Sequence, residues 1–270
     1  MKVKYAALNG RILPVEEANV SVKDIALGRG YGIFDFFQIK DGIPIHMKEH
    51  LDRFERSAAF MRLQLDWNRQ EIEAIIQQLM EHNGMSSAGV KLIGTGGVPE
   101  DGVSIDRGNL AIILYPFKAP SEGIYDKGVK LLSYEFQRLL PHIKSINYLY
   151  AVYLSEELKK ADALEPLYYT TESVRETSRA NIMAVKNGTL ITPHEKILEG
   201  ITRRTIIENL KFPVELRNIT LKELKEADEV FLCGTTKVAL GVTHIDGEAI
   251  GDGTVGPITK KVREELLKLS

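Results

Sequence analysis

Four dipeptides set the first limit on how this chain folds. Asn9-Gly10, Asp41-Gly42, Asn187-Gly188 and Asp246-Gly247 each stand between extended, apolar-rich runs: YAALNGRILPV, FFQIKDGIPIHM, IMAVKNGTLITP and THIDGEAIG. Asn-Gly and Asp-Gly tolerate positive φ at both central positions, which is what a two-residue type I′ hairpin turn demands. Four such hairpins require largely antiparallel sheet. They argue against a doubly wound parallel fold, in which strands alternate with helices. The expected class is α+β.

Apolar residues at spacings of three and four predict helices over 47–63 (Leu51, Phe54, Ala58, Met61) and 68–82 (Ile72, Ile75, Ile76, Leu79), the second stopped by Asn83-Gly84. Shorter helices are expected over 148–160, 202–210 and 258–269. Apolar runs without helical period at 90–93, 110–116, 129–134 and 230–233 read as buried strands. The turn-rich stretch 116–123 has the composition of a linker. It puts a boundary near residue 118, between a smaller N-terminal domain, 1–118, and a larger C-terminal domain, 119–270.

With 35 basic against 37 acidic side chains, the chain has no net field to attract nucleic acid or an anionic membrane. No window approaches a membrane span, and the opening MKVKYAALNG puts Lys4 and turn residues where a signal peptide needs an apolar core. The expected compartment is the cytoplasm. The single cysteine, Cys233, excludes an intramolecular disulfide and a Cys-rich zinc cluster, and reads as a small core residue. His46 and His50 have a spacing that can grip a metal. Glu49 is misplaced for a zinc-protease motif and no third ligand suggests itself, so both read as surface or cap histidines and no metal is expected. Gly94-Thr-Gly-Gly97 lacks the lysine of a phosphate loop and reads as a loop at a strand end.

Lys144 stands out within LLPHIKSINYLYAVYL as the sole cation among sixteen mostly apolar or aromatic residues. Two readings fit it. One is a lysine snorkelling from the rim of a core; the other is a desolvated lysine whose lowered pKa suits Schiff-base chemistry.

Four further segments, in order with Lys144, separate them. His50-Leu-Asp-Arg53 is followed by Lys144-Ser-Ile-Asn-Tyr148 and by Glu176-Thr-Ser-Arg-Ala-Asn-Ile182. Then come Leu198-Glu-Gly-Ile-Thr-Arg203 and Gly234-Thr-Thr236. With the tail Gly251-Asp-Gly-Thr-Val-Gly-Pro-Ile-Thr259, this succession resembles the fold-type IV pyridoxal-phosphate enzymes: D-amino-acid aminotransferase, branched-chain aminotransferase and 4-amino-4-deoxychorismate lyase. The resemblance implies a two-domain α+β fold with pyridoxal 5'-phosphate as cofactor. It also implies transfer of an amino group between an amino acid and a 2-oxo acid in two half-reactions, in a homodimer. By the same resemblance Lys144 would hold the cofactor aldehyde as a Schiff base and move the proton between Cα and C4′. Glu176 would face the pyridine nitrogen, and Leu198 would pack on the ring. Arg53, the amides of Ile201 and Thr202 at a helix N-terminus, and the Gly234-Thr235 turn would hold the phosphate.

The substrate side departs from the family. An arginine that helps bind substrate carboxylate in the D-amino-acid enzymes is absent at the similar place, Thr95-Gly96. Phe34-Asp35 stands where some relatives have a tyrosine, and the run after Thr236 is Val238-Ala-Leu-Gly241. A buried substrate carboxylate needs a cation, so Arg138 and Arg179 are the first candidates and Arg107 a third. The spacing of Lys144 to Asn147 is closer to the D-amino-acid and lyase branches than to the branched-chain branch. A lyase, or a protein that keeps the cofactor cup without turnover, is the alternative.

Overall fold

The computed structural model describes residues 3–116 and 121–269, and the boundary expected near residue 118 lies outside them. The chain divides into two compact units: Met1–Lys118 with Ile143–Asn147, and Ala119–His142 with Tyr148–Ser270.

In the first unit six strands form one antiparallel sheet. They are β1 (Tyr5–Leu8), β2 (Arg11–Pro14), β3 (Gly32–Lys40), β4 (Ile43–Ile45), β5 (Ala88–Thr95) and β6 (Leu110–Tyr115), in the order β2-β1-β6-β5-β3-β4. The short helix α1 (Ile25–Arg29) precedes β3; α2 (Met47–Phe60) and α3 (Arg69–Asn83) lie between β4 and β5. Side chains alternate along each strand, so one face is apolar: Ile33, Phe37, Val90, Leu92, Leu110 and Ile112 pack with Leu51 and Phe54 of α2 and Ile72, Ile76 and Leu79 of α3. Asn68 and Glu71 form a capping box at the start of α3, and Gly84 ends it at φ 61°. Residues 144–146 run along β3 on the edge that the short β4 leaves open: Phe34 N donates to Lys144 O (2.9 Å) and Ile146 N to Gly32 O (3.1 Å).

The second unit begins with α4 (Glu122–Lys127) and β7 (Val129–Glu135), followed by α5 (Leu149–Tyr153), α6 (Ser155–Lys160), β8 (Glu165–Tyr169), β9 (Val174–Thr177), β10 (Asn181–Lys186) and β11 (Thr189–Thr192). It continues with α7 (Ile201–Asn209), β12 (Val214–Leu216), α8 (Leu221–Lys225), β13 (Glu229–Gly234), β14 (Val238–Ile245), β15 (Glu248–Ala249) and α9 (Pro257–Lys268). Its nine strands form a second sheet, ordered β12-β11-β10-β13-β14-β7-β8-β9 with β15 on β14. Ile182, Ala184, Val230, Leu232 and Leu240 bury one face, while Met183, Val185, Phe231 and Ala239 bury the other against Ile206 of α7 and Val262 of α9.

All four dipeptides turn hairpins with positive φ at both positions, between 49° and 81°. The sheets are mostly antiparallel, but β7 pairs in parallel with β8 and β14, and β11 with β12. Those pairs join strands that are not hairpin neighbours, so no turn signal marks them. The helix expected over 148–160 is two short helices that meet at Leu154.

Candidate active site

The first unit carries Phe34, Arg53 and Lys144. Arg53 lies on the buried face of α2 and grips Asp35 of β3 with two bonds, Nε to Oδ2 and Nη2 to Oδ1, both 2.8 Å. This leaves the Nη1 side of the fork to meet an anion. His50, one turn earlier, has Nδ1 2.7 Å from Asp35 Oδ1. Burial alone would raise the Asp35 carboxyl; the Arg53 guanidinium outweighs it and holds Asp35 well below the usual carboxylate range. An ionised carboxylate only accepts, so Nδ1 carries the proton that His50 gives it. Burial pushes the His50 ring below its ordinary value of 6.5, against the pull of Asp35 and with help from the charges of Arg53 and Lys144. The reading of His50 as a surface or cap residue is therefore corrected: it is 1% exposed and orients the Asp35–Arg53 pair. His46 does occupy the N-cap of α2, but through its backbone at φ 52°.

Lys144 has its backbone fixed on β3 and its ammonium 4.6 Å from the centre of the Phe34 ring. Lys91 of β5 reaches the same ring, at 5.2 Å, and burial lowers its pKa. Among the described residues Lys91 forms no ion pair. Thr95 is buried in a hydrogen-bond network, with Oγ1 donating to Asp24 (2.7 Å) and accepting from Asn109 N (3.0 Å). Arg107 lies on the surface, paired with Asp66.

The second unit carries the other candidates. Glu176 sits on β9, nearly fully buried, and is held through both oxygens: Arg138 Nε donates to Oε1 (2.8 Å) and Leu198 N to Oε2 (3.0 Å). Arg138 also donates from Nη2 to Pro141 O (2.5 Å). Arg179 points to a different carboxylate, Glu165, with Nε 2.9 Å away. Tyr148 was not among the sequence candidates. It is partly buried, its hydroxyl pushed up to about 12 chiefly by burial, and it lies within electrostatic reach of Arg138 and Glu176.

Leu198 leads into α7. Its carbonyl accepts from Asn181 Nδ2 (2.8 Å), and Gly200 is the N-cap. A Cβ at Gly200 would run into Asn181 Oδ1, and no side chain caps the helix, so the amides of Ile201 and Thr202 keep their role as N-terminal donors. Gly234, Thr235 and Thr236 form the turn between β13 and β14, closed by Lys237 N on Gly234 O (3.0 Å). Val238 follows at φ 57°, a conformation unusual for a β-branched residue. Cys233, just before this turn, is fully buried with its thiol pushed up to about 12 by burial, a core residue and not a nucleophile.

The profile of the class IV amino-transferases matches residues 32–245. The D-alanine aminotransferase of Staphylococcus haemolyticus is 32% identical over 266 residues, covering 95% of this chain and 94% of that protein. That of Listeria monocytogenes is 32% identical over 268 residues, covering 95% and 93%. Among solved structures, a T.th. branched-chain amino acid aminotransferase with pyridoxamine 5'-phosphate superposes with a TM-score of 0.90 at 28% identity, over 99% of this chain and 94% of that one. The Escherichia coli branched-chain enzyme gives 0.91 at 25% identity, over 99% and 95%. The fold, the ordered motifs and relatives matched along nearly the whole length converge on one conclusion: this chain belongs to the class IV aminotransferases, the pyridoxal-phosphate-dependent transaminases of fold type IV.

Proposed function

We propose that this chain is a cytoplasmic, homodimeric transaminase that takes its amino group from a D-amino acid and passes it to a 2-oxo acid, with 1–118 as the smaller domain and 119–270 as the cofactor-binding one. The residues present fit the cofactor: an amine for its aldehyde, a buried carboxylate for its pyridine nitrogen, and a guanidinium, a hydroxyl turn and an uncapped helix N-terminus for its phosphate. Pyridoxal 5'-phosphate, when bound, supplies the aldehyde that receives the amino group and a ring that spreads the charge left at Cα.

Lys144 is the catalytic residue: its amine would hold the cofactor by its aldehyde and, when free, would move the proton between substrate Cα and C4′. Glu176 holds the proton on the pyridine nitrogen, and Arg138 and Leu198 N orient it for that task. Leu198 would pack against the ring. Arg53, Ile201, Thr202, Gly234 and Thr235 bind the phosphate, with Thr236 at the substrate side of the turn. Arg138 and Arg179 hold the buried carboxylates of Glu176 and Glu165 and remain candidates for the substrate carboxylate; Lys91 beside Phe34 joins them, because its half-buried ammonium gains from an incoming anion.

The observation that carries this reading is Glu176, a buried carboxylate fixed from both sides on the strand that leads to Asn181 and α7. The D-amino-acid side is favoured by the D-alanine aminotransferase relatives and by the Lys144–Asn147 spacing. The likeness to branched-chain enzymes supports a second reading, an L-specific donor. Both are tested by the visible spectrum of the cofactor-loaded protein before and after D-alanine, L-leucine and a 2-oxo acid. A D-specific bleaching, reversed by the 2-oxo acid, is expected; bleaching by L-leucine alone moves the chain to the second reading, and a lyase would release pyruvate without a stable aminated form. Lys144→Ala should remove both band and turnover. Lys91→Met should raise KM for the 2-oxo acid by about tenfold. A wild-type protein that takes up no cofactor would defeat the assignment.

A further inference from the structure

Glu165, on β8, is fully buried and belongs to none of the motifs above. Its carboxylate nonetheless gathers five donors: Lys237 Nζ (2.7 Å) and Arg179 Nε (2.9 Å) on Oε1, and Thr177 Oγ1 (2.6 Å), Ser178 Oγ (3.3 Å) and Arg179 N (3.1 Å) on Oε2. Burial would raise this carboxyl, but the Lys237 ammonium and the Arg179 guanidinium outweigh it and hold it below its ordinary value. The donors come from two places. Thr177, Ser178 and Arg179 directly follow Glu176 at the end of β9. Lys237, itself buried, closes the turn that carries Thr235. We propose that Glu165 is a positioning residue of the cofactor cup, locking the turn that offers Thr235 to the phosphate onto the strand end that offers Glu176 to the pyridine nitrogen.

Two features give this tie its force. The β13–β14 turn needs an anchor to hold its shape, because Val238 behind it is in the left-handed region, a conformation unusual for a β-branched residue. A buried ammonium anchored on a buried carboxylate then fixes the turn, since neither partner can be left unpaired away from water. Thr235 itself stays on the turn between the two anchored points, Gly234 and Lys237.

The proposal rests on the assignment of Thr235 and Glu176 to the cofactor, and the test keeps the two apart. Dissociation constants for pyridoxal 5'-phosphate and for pyridoxal, which lacks the phosphate, are measured by absorbance titration on the wild type, Lys237→Met, Glu165→Gln, the double variant and Lys237→Arg, with thermal melting as the control for folding. The wild type should prefer the phosphorylated form. Lys237→Met and Glu165→Gln should each shrink that preference by about tenfold or more, the double variant should lose no more than the poorer single one, and Lys237→Arg should recover most of it. If Glu165→Gln does not fold, Lys237→Met decides the matter, because it leaves Glu165 with Arg179, Thr177 and Ser178. Affinities that are unchanged, or that fall equally for both ligands, would overturn the role of Glu165. A wild type that binds neither ligand overturns the cofactor assignment itself.

Discussion

His50 donates to Asp35 while Arg53 grips both oxygens of the same carboxylate, so a proton taken up by either Asp35 or His50 disturbs the guanidinium proposed for the phosphate. The folded protein resists both. His50 is depressed from 6.5, so as pH falls through that value the unfolded chain binds a proton that the folded one does not, and stability is lost. Asp35 and Glu165 are also depressed, from 3.8 and 4.5, and add a second loss below those values. Thermal melting should therefore fall between about pH 7 and pH 5, and His50→Asn should flatten that limb. A wild-type melting temperature constant over the interval would contradict it. Residues of this kind are the least legible in the sequence. Lys144 could be singled out because its neighbours along the chain are apolar, and Arg53 and Glu176 through motifs. His50 finds its partner 15 positions away and Glu165 finds Lys237 across the sheet, distances at which no local pattern reports burial.

The elements were easier to foresee. Asn-Gly and Asp-Gly fixed four hairpins because the turn needs a backbone conformation that few residues reach, and the apolar spacing of α2 and α3 follows from the face they bury. The break at Leu154 and the parallel pairs of β7 depend on partners far along the chain, so periodicity was silent on them. The start of α7 joins both kinds of information: Gly200 is visible in the motif, but only the fold brings Asn181 against its Cα. Gly200→Ala should push Asn181 away from Leu198 O and disturb Leu198 N on Glu176. We expect affinity for pyridoxal 5'-phosphate to drop by about tenfold, with a modest loss of melting temperature. Unchanged affinity in a calorimetric titration would show that the approach of Asn181 is not needed for the cup.

At the scale of the whole molecule, formal charge is nearly balanced at −2, and no helix among the described residues is long and apolar enough to cross a membrane. Leu149, Val152 and Tyr153, which share one face of α5, nonetheless stand exposed on the second unit. Apolar side chains grouped like this mark interaction sites, and a second copy of the chain is the proposed occupant. Sedimentation should find a dimer, and Val152→Glu should raise its dissociation constant by at least about tenfold. A wild-type monomer at micromolar concentration would remove that assignment. The path of the chain through 143–147 carries one more consequence. Because Lys144 and Ile146 are both bonded to β3, side chains there alternate in direction, and one residue gained or lost between Ile143 and Ile146 would turn the amine to the opposite face of the sheet. A change of length outside these residues, for instance between Ile146 and Tyr148, would leave the lysine where it is.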